Sequence, residues 1–215
     1  MSESSEAFAS KLNSLLRQAG LGSLNPERAA RFQDLLSLLQ RWNARINLTA
    51  IRDEDGILSR HFVESIACSR ALPAGIETVL DFGSGAGFPG IPIALCRSEI
   101  SVTLAESQGK KAAFLQEAVR VLGISAKVHS GRAESLPALF DCVVIRAVDR
   151  MPLAVEAAAK LVAPGGWLAL MTTAAELPGL QAVAGSTLSW EPAVSQPGGE
   201  DRVIALARQG VSSPA

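Results

Sequence analysis

The stretch Asp81-Phe82-Gly83-Ser84-Gly85-Ala86-Gly87-Phe88-Pro89-Gly90 carries the clearest chemistry in this chain. Its glycines alternate between an apolar run, Thr78-Val79-Leu80, and the helix-like Ile91-Pro92-Ile93-Ala94-Leu95-Cys96. Glycine allows positive φ and puts no Cβ between backbone and ligand. N–H groups at a helix start add partial positive charge. Charged residues recur at the ends of later apolar runs: Glu106 after 101–105, Arg132-Ala133-Glu134 after 126–129, and Arg146 after 141–145. The carboxyl ends of strands are where an open parallel sheet binds its ligand.

These residues need a sheet to bring them together. Strands are expected at 78–82, 101–105, 126–129, 141–145 and 167–171, with helices at 88–96, 110–122 and 151–161 between them. Strand–helix alternation implies an α/β, Rossmann-like, doubly wound parallel sheet. The tail differs, because 187–194 and 202–207 flank Gln196-Pro197-Gly198-Gly199-Glu200 and read as a hairpin, which makes the last strand antiparallel. Ahead of the sheet, Phe8, Leu12, Leu15, Leu16 and Ala19 mark an amphipathic helix. Asn25-Pro26 opens a second helix as N-cap and first residue. Asp53, Glu54 or Asp55 opens a third, burying Leu58, Phe62 and Ile66. Residues 1–72 are therefore expected to form a helical cap, and residues 73–215 the nucleotide-binding domain.

The frame of the glycines discriminates between cofactors. Gly85-x-Gly87-x-x-Gly90 formally matches a dinucleotide fingerprint. Read from Gly83, however, the sixth position is Phe88, and the strand ends in Asp81. Asp-x-Gly-x-Gly-x-Gly resembles the first motif of S-adenosylmethionine (SAM) methyltransferases. A carboxylate there suits the sulfonium and ammonium of SAM better than a pyrophosphate, and the antiparallel ending suits a methyltransferase sheet. Glu106 is placed to accept ribose hydroxyls, which SAM and NAD share, or to cap the next helix. Ala133 and Glu134 stand where methyltransferases with this resemblance bind the adenine, although Glu134 also reads as a solvated loop carboxylate. Arg146 either binds an anion in the cleft or pairs with Asp149 or Glu134.

The chain is 48% hydrophobic and 19% charged with a net charge of −1, so it is a well-buried protein with no global field for nucleic acid or membrane. Aromatics are scarce and Tyr is absent, which leaves few residues for base stacking. Cys68, Cys96 and Cys142 are odd in number and apolar in setting, and read as reduced thiols of a cytoplasmic protein, with no zinc spacing. The polar start from Met1 to Glu6 shows no signal peptide, and no apolar run reaches membrane-span length.

Three stretches together resemble one family: Trp42-Asn43 through Asn47-Leu48-Thr49, Arg60-His61-Phe62-Val63-Glu64-Ser65, and the run from Asp81 to Pro92. The chain is similar to the bacterial small-subunit ribosomal RNA methyltransferases also called glucose-inhibited division protein B, over roughly residues 8–207. The resemblance implies a SAM-dependent enzyme that methylates N7 of one guanine in a loop of 16S rRNA, free or in the small subunit. A monomer is expected, with no metal site. Carried over by motif, the SAM contacts fall on Gly83, Phe88, Ala133, Glu134 and Arg146, beside Asp81, Gly85 and Glu106 from the residues themselves. Two positions depart from the family pattern: Glu64 replaces its common Asp, and Ile145 its common Ser.

Guanine N7 has a free lone pair, so attack on a methyl group needs no general base, and alignment is the main demand. Arg146-Ala147-Val148 stands where amine methylases carry an Asn/Asp-Pro-Pro-aromatic set. No catalytic residue is assigned on this reading. Arg41, Arg45, Arg52, Arg60, Lys110 and Lys111 are candidates for a phosphate patch, although Asp53, Glu54 and Asp55 nearby equally suit a mixed-charge surface. His61 reads as a structural or cleft-facing residue, and Trp42 as core. Three alternatives remain open: a SAM methyltransferase of another substrate, a non-enzymatic SAM or nucleotide binder, and an NAD-dependent oxidoreductase.

Overall fold

The apolar runs pair as expected in the computed structural model, which describes residues 3–199 and 201–211. Strands β1 (Thr78–Phe82), β2 (Ser101–Ala105), β3 (Ala126–His129), β4 (Phe140–Arg146) and β5 (Val162–Thr173) run parallel. Strands β6 (Leu188–Trp190) and β7 (Val194–Ser195) both pair antiparallel with β8 (Arg202–Gln209), which lies antiparallel beside β5. The order across the sheet is β3-β2-β1-β4-β5-β8-β6, with β7 also on β8. Of the expected hairpin loop, Glu200 lies outside the described residues, as do Met1 and Ser2 of the polar start.

Register decides which residues meet. Phe82 lies opposite Ala105 on one side and Ile145 on the other, and Ala105 lies opposite His129. The next residues, Gly83, Glu106 and Arg146, therefore leave the sheet side by side at its carboxyl edge. The Asp141 carboxylate fastens the opposite ends of β1 and β4, accepting from the Glu77 and Thr78 N–H groups at 2.9 Å and the Thr78 hydroxyl at 3.0 Å.

Each face of the sheet has its own core. Val79, Val102, Leu104, Cys142 and Val144 face α5 (Gly90–Cys96), α6 (Gly109–Leu122) and the N-terminal helices. Leu80, Phe82, Val143, Ile145 and Leu168 face α7 (Met151–Ala159) and α8 (Leu177–Ala184). Helix α8 lies outside the helices expected from sequence, and it carries Pro178 in its first turn. Proline is tolerated in a first helical turn, where its missing N–H would have had no partner. Cys68 and Cys142 are buried free thiols.

The cap comprises α1 (Glu3–Gln18), α2 (Pro26–Asn43), α3 (Glu54–Gly56), a π-helical turn Ile57–Val63, and α4 (Glu64–Ala71). Asn25 caps α2 by accepting from Arg28 N–H at 2.8 Å, and Asp53 caps α3 by accepting from Gly56 N–H at 2.7 Å. Phe8, Leu12, Phe32, Leu35 and Phe62 join the same buried cluster as Val79 and Leu104, so the cap and one sheet face share a core. Phe32 meets Phe62 edge-on (centroids 5.1 Å), and Phe62 meets Phe88 at a tilt (5.9 Å). The cap thus touches the glycine loop directly. Trp42, expected in the core, is only partly buried: it packs edge-on against Phe114 at 5.9 Å at the margin of this core and donates to Glu117 at 3.0 Å.

Candidate functional site

The glycine turn bends in the left-handed region three times, with φ of 73° at Gly83, 57° at Gly85 and 83° at Gly87. L-residues rarely adopt that region. A Cβ on Gly87 would strike Ile91, and one on Gly83 would strike Val148. A Cβ on Gly85 would meet no protein atom closer than 3.9 Å. The turn is tied down by Glu106, a buried carboxylate whose Oε2 accepts from Gly85 N–H at 3.0 Å and Oε1 from Gln108 N–H at 2.7 Å. Glu106 is not the cap residue of α6, because Gln108 holds that position.

A cavity of about 690 Å³ opens above this edge of the sheet. Gly83, Gly85, Phe88, Glu106, Ala133, Glu134 and Arg146 all line it, although they come from four separate strand ends. Its size lies within the range of about 300–1,000 Å³ usual for ligand sites. Sequence reasoning did not single out Ser107, Gly131 or Arg150 on the same wall. None carries a local signal, since each reaches the wall through the path of a loop.

Asp81 requires a correction. Expected beside the cofactor, it is not on the cavity wall; it is fully buried behind the loop, where Oδ2 accepts from Gly90 N–H at 3.0 Å. The N–H that begins α5 is therefore satisfied inside the protein and does not face a ligand. Burial pushes the Asp81 carboxyl up to about 7, against the pull of the Ser84 hydroxyl and the Gly90 N–H.

Arg146 has neither partner considered from sequence. Its Nη2 donates to Glu64 Oε2 at 2.9 Å and to the Arg60 carbonyl at 2.6 Å, and its Nη1 reaches Ser65 Oγ at 3.4 Å. Glu64 also contacts Arg60 Nε at 3.1 Å and Arg202 Nη1. One buried carboxylate so joins three guanidiniums from the cap, β4 and β8. Burial raises the Glu64 carboxyl while Arg146 and Arg60 oppose that shift, and burial lowers Arg146. The π-helical turn places Arg60 and His61 at the end of this cluster; such turns recur at functional sites.

His61 lies flat on Phe88, with centroids 4.6 Å apart and planes 8° apart, and its Nε2 is 2.8 Å from Thr49 Oγ1. Its Nδ1 is buried without a partner among the described residues. Burial, then the charges of Arg146 and Arg60, lower its pKa to about 3, so the imidazole on the wall is neutral at physiological pH.

A second cavity of about 340 Å³ adjoins the first, sharing Arg146, Ala147 and Val148 as a common wall. Ala147 has φ 47°, a strained value for a residue with a Cβ. Elsewhere, Arg45, Arg52, Lys110 and Lys111 line one shallow depression of about 420 Å³ beside Asn43 and Gln108. Lys111 lines the main cavity as well. Arg41 lies outside this group and approaches Glu117 at 3.6 Å. Asp53 and Glu54 turn away, one to cap α3 and the other to Lys11.

Parallel strands with an antiparallel final pair, a glycine loop after β1 and an acid after β2 define a class I SAM-dependent methyltransferase. The fold is shared with an O-methyltransferase from Bacillus cereus solved with SAH (TM-score 0.60, 17% identity, 95% of this chain and 100% of that one). It is shared equally with a methyltransferase from Pyrococcus furiosus (TM-score 0.61, 16% identity, 86% and 98%). A family model described as rRNA small subunit methyltransferase G matches residues 28–184, and the chain belongs to that family. Relatives bearing the name ribosomal RNA small subunit methyltransferase G include one from Xanthomonas campestris pv. campestris strain B100, 41% identical over 152 residues (69% of this chain, 71% of that protein). Another, from Roseiflexus sp. strain RS-1, is 34% identical over 197 residues (85% and 84%). The cofactor is SAM, and an NAD-dependent oxidoreductase is set aside.

Proposed function

We propose that this protein transfers a methyl group from SAM to N7 of a guanine in 16S ribosomal RNA, acting as a cytoplasmic monomer. Family membership supports the RNA substrate, and the convergence of Gly83, Glu106, Ala133 and Arg146 on one cavity is the observation that carries the site. Glu106 keeps lone pairs for ribose hydroxyls beyond its two backbone bonds, and Ala133 with Glu134 forms the adenine end. Gly83 and Gly85 floor the methionine end, and Phe88 closes the side beneath His61. Arg146 closes the far wall and joins it to the cap.

SAM supplies the methyl group: the N7 lone pair forms the new N–C bond as the S–C bond breaks, giving S-adenosylhomocysteine and a cationic 7-methylguanine, with no proton removed. The protein then has to align the reactants and exclude water. A neutral His61 with one nitrogen committed to Thr49 suits that role, because no base is needed. Arg45, Arg52, Lys110 and Lys111 sit beside the main cavity and would track the RNA phosphates. No helix among the described residues is long and apolar enough to cross a membrane.

Incubating the protein and SAM with unmethylated 16S rRNA, free and in assembled subunits, and mapping 7-methylguanine is the direct test. One methylated guanine in either form is the expected result. Methylation at an exocyclic or ribose position would overturn the N7 assignment.

A further inference from the structure

The second cavity adjoins the one read as the cofactor site. It is bounded by the ends of β4 and β5, by Arg202 at the start of β8 and by Arg60 of the cap, and it meets the main cavity only at Arg146, Ala147 and Val148. At about 340 Å³ it has room for one small planar group. Its wall carries two carboxylates. Glu64 is consumed by three arginines. Glu176 is not: it is exposed, is not one of the residues shared with the main cavity, and is held in place from one side.

That hold is specific. Thr172 Oγ1 and Thr173 Oγ1 both donate to Glu176 Oε2, at 2.8 and 3.0 Å, and Thr173 Oγ1 accepts from Glu176 N–H at 3.2 Å. Oε1 has no donor among the described residues. The two hydroxyls keep the carboxyl below its ordinary value, so it is ionised at neutral pH. A fixed carboxylate with a free oxygen fits paired N–H donors. In guanine those are N1–H and the 2-amino group, on the edge away from N7.

We propose that this cavity holds the acceptor guanine, with Glu176 accepting hydrogen bonds from N1–H and the 2-amino group. The proposal rests on the guanine-N7 reading above. Holding that edge at the far end turns N7 back toward Ala147 and Val148, where the two cavities join. O6 then faces the side lined by the guanidiniums. As N7 attacks, positive charge grows on the purine, and the bond from N1–H to Glu176 strengthens with it, so the contact aids the transition state more than the bound substrate. Adenine presents an acceptor at N1 and would meet the carboxylate unfavourably.

The test combines a protein change with a substrate change. Small-subunit RNA carrying inosine at the methylated guanine, which lacks the 2-amino group, is compared with normal RNA in whichever form wild type methylates. Wild type should lose roughly tenfold or more in kcat/KM on inosine, the value of one good base contact. Glu176→Ala should be slow on both substrates and discriminate less than about threefold, since the partner of the amino group is gone. Glu176→Gln should lower kcat about tenfold with KM little changed. Calorimetric SAM affinity of both variants, and the urea midpoint of Glu176→Gln, whose amide oxygen can still accept from Thr172 and Thr173, should match wild type. Equal rates of wild type on both RNAs, or full discrimination retained by Glu176→Ala, would overturn the proposal. If wild type binds SAM but methylates no guanine N7, the underlying reading fails first and this proposal with it.

Discussion

Arg146 at the end of β4 donates to Glu64 at the start of α4 at 2.9 Å, across 82 residues of chain. With Arg60 and Arg202 on the same carboxylate, this pair fastens the cap, the centre of the sheet and its antiparallel edge at one point. Glu64→Ala leaves partly buried guanidiniums without their counter-charge, and breaking such a pair costs about 3 kcal/mol. Urea unfolding should show that loss together with weaker SAM binding. Unchanged stability would mean the cluster is solvated and adds little.

The glycine loop gives a cleaner separation of binding from folding. Gly83→Ala would press on Val148 as well as on its own φ, so it perturbs both cavities. At Gly85 an added methyl meets no close protein atom, so the folding cost is that of an L-residue in the left-handed region, about 1–2 kcal/mol. Gly85→Ala should therefore stay folded and lose SAM affinity at least tenfold, read by calorimetry. Normal affinity would place SAM away from this floor.

Arg45 and Lys110 line the basic depression but not the main cavity, unlike Lys111. The double variant Arg45→Ala with Lys110→Ala should weaken RNA binding and flatten log K against log salt by about 1–2, since each phosphate contact to a single strand contributes about 0.7. SAM affinity should not change. An unaltered slope would make this depression an ordinary solvated surface.

His61 links stability to pH. Its pKa is 6.5 in the unfolded chain and about 3 in the folded protein, so the unfolded state binds the extra proton between these values. Stability is then present above pH 6.5 and is lost as pH falls toward 3. His61→Gln removes the titration while keeping a group able to meet Thr49. Its urea midpoint should fall less steeply than that of wild type over this window, and parallel curves would contradict burial of the neutral ring.

Most of the sheet was legible in the residues. The runs at 78–82, 101–105 and 126–129 form strands with those bounds, because uninterrupted apolar segments between turn residues have few other ways to be buried. Asn25-Pro26 and Asp53 stated the helix starts through local hydrogen bonds. Helix α8 was obscured by its own Pro178 and Gly179. The tail strand broke in two at Glu191-Pro192-Ala193, where a proline cannot continue a ladder.

The sequence by itself determined the glycine turn and the strand-end positions of Glu106, Glu134 and Arg146, because backbone conformation and apolar periodicity are local properties. It could not determine what those side chains touch. Asp81, expected at the cofactor, is the buried partner of Gly90; Arg146, expected to bind an anion in the cleft or to pair with Asp149 or Glu134, lines the cleft and pairs with Glu64 in the cap. Glu176 and Arg202 drew no notice, since neither sits in a motif. Such contacts arise between residues that only packing brings together, and their geometry is set by strand register and by the way the cap closes over the sheet edge.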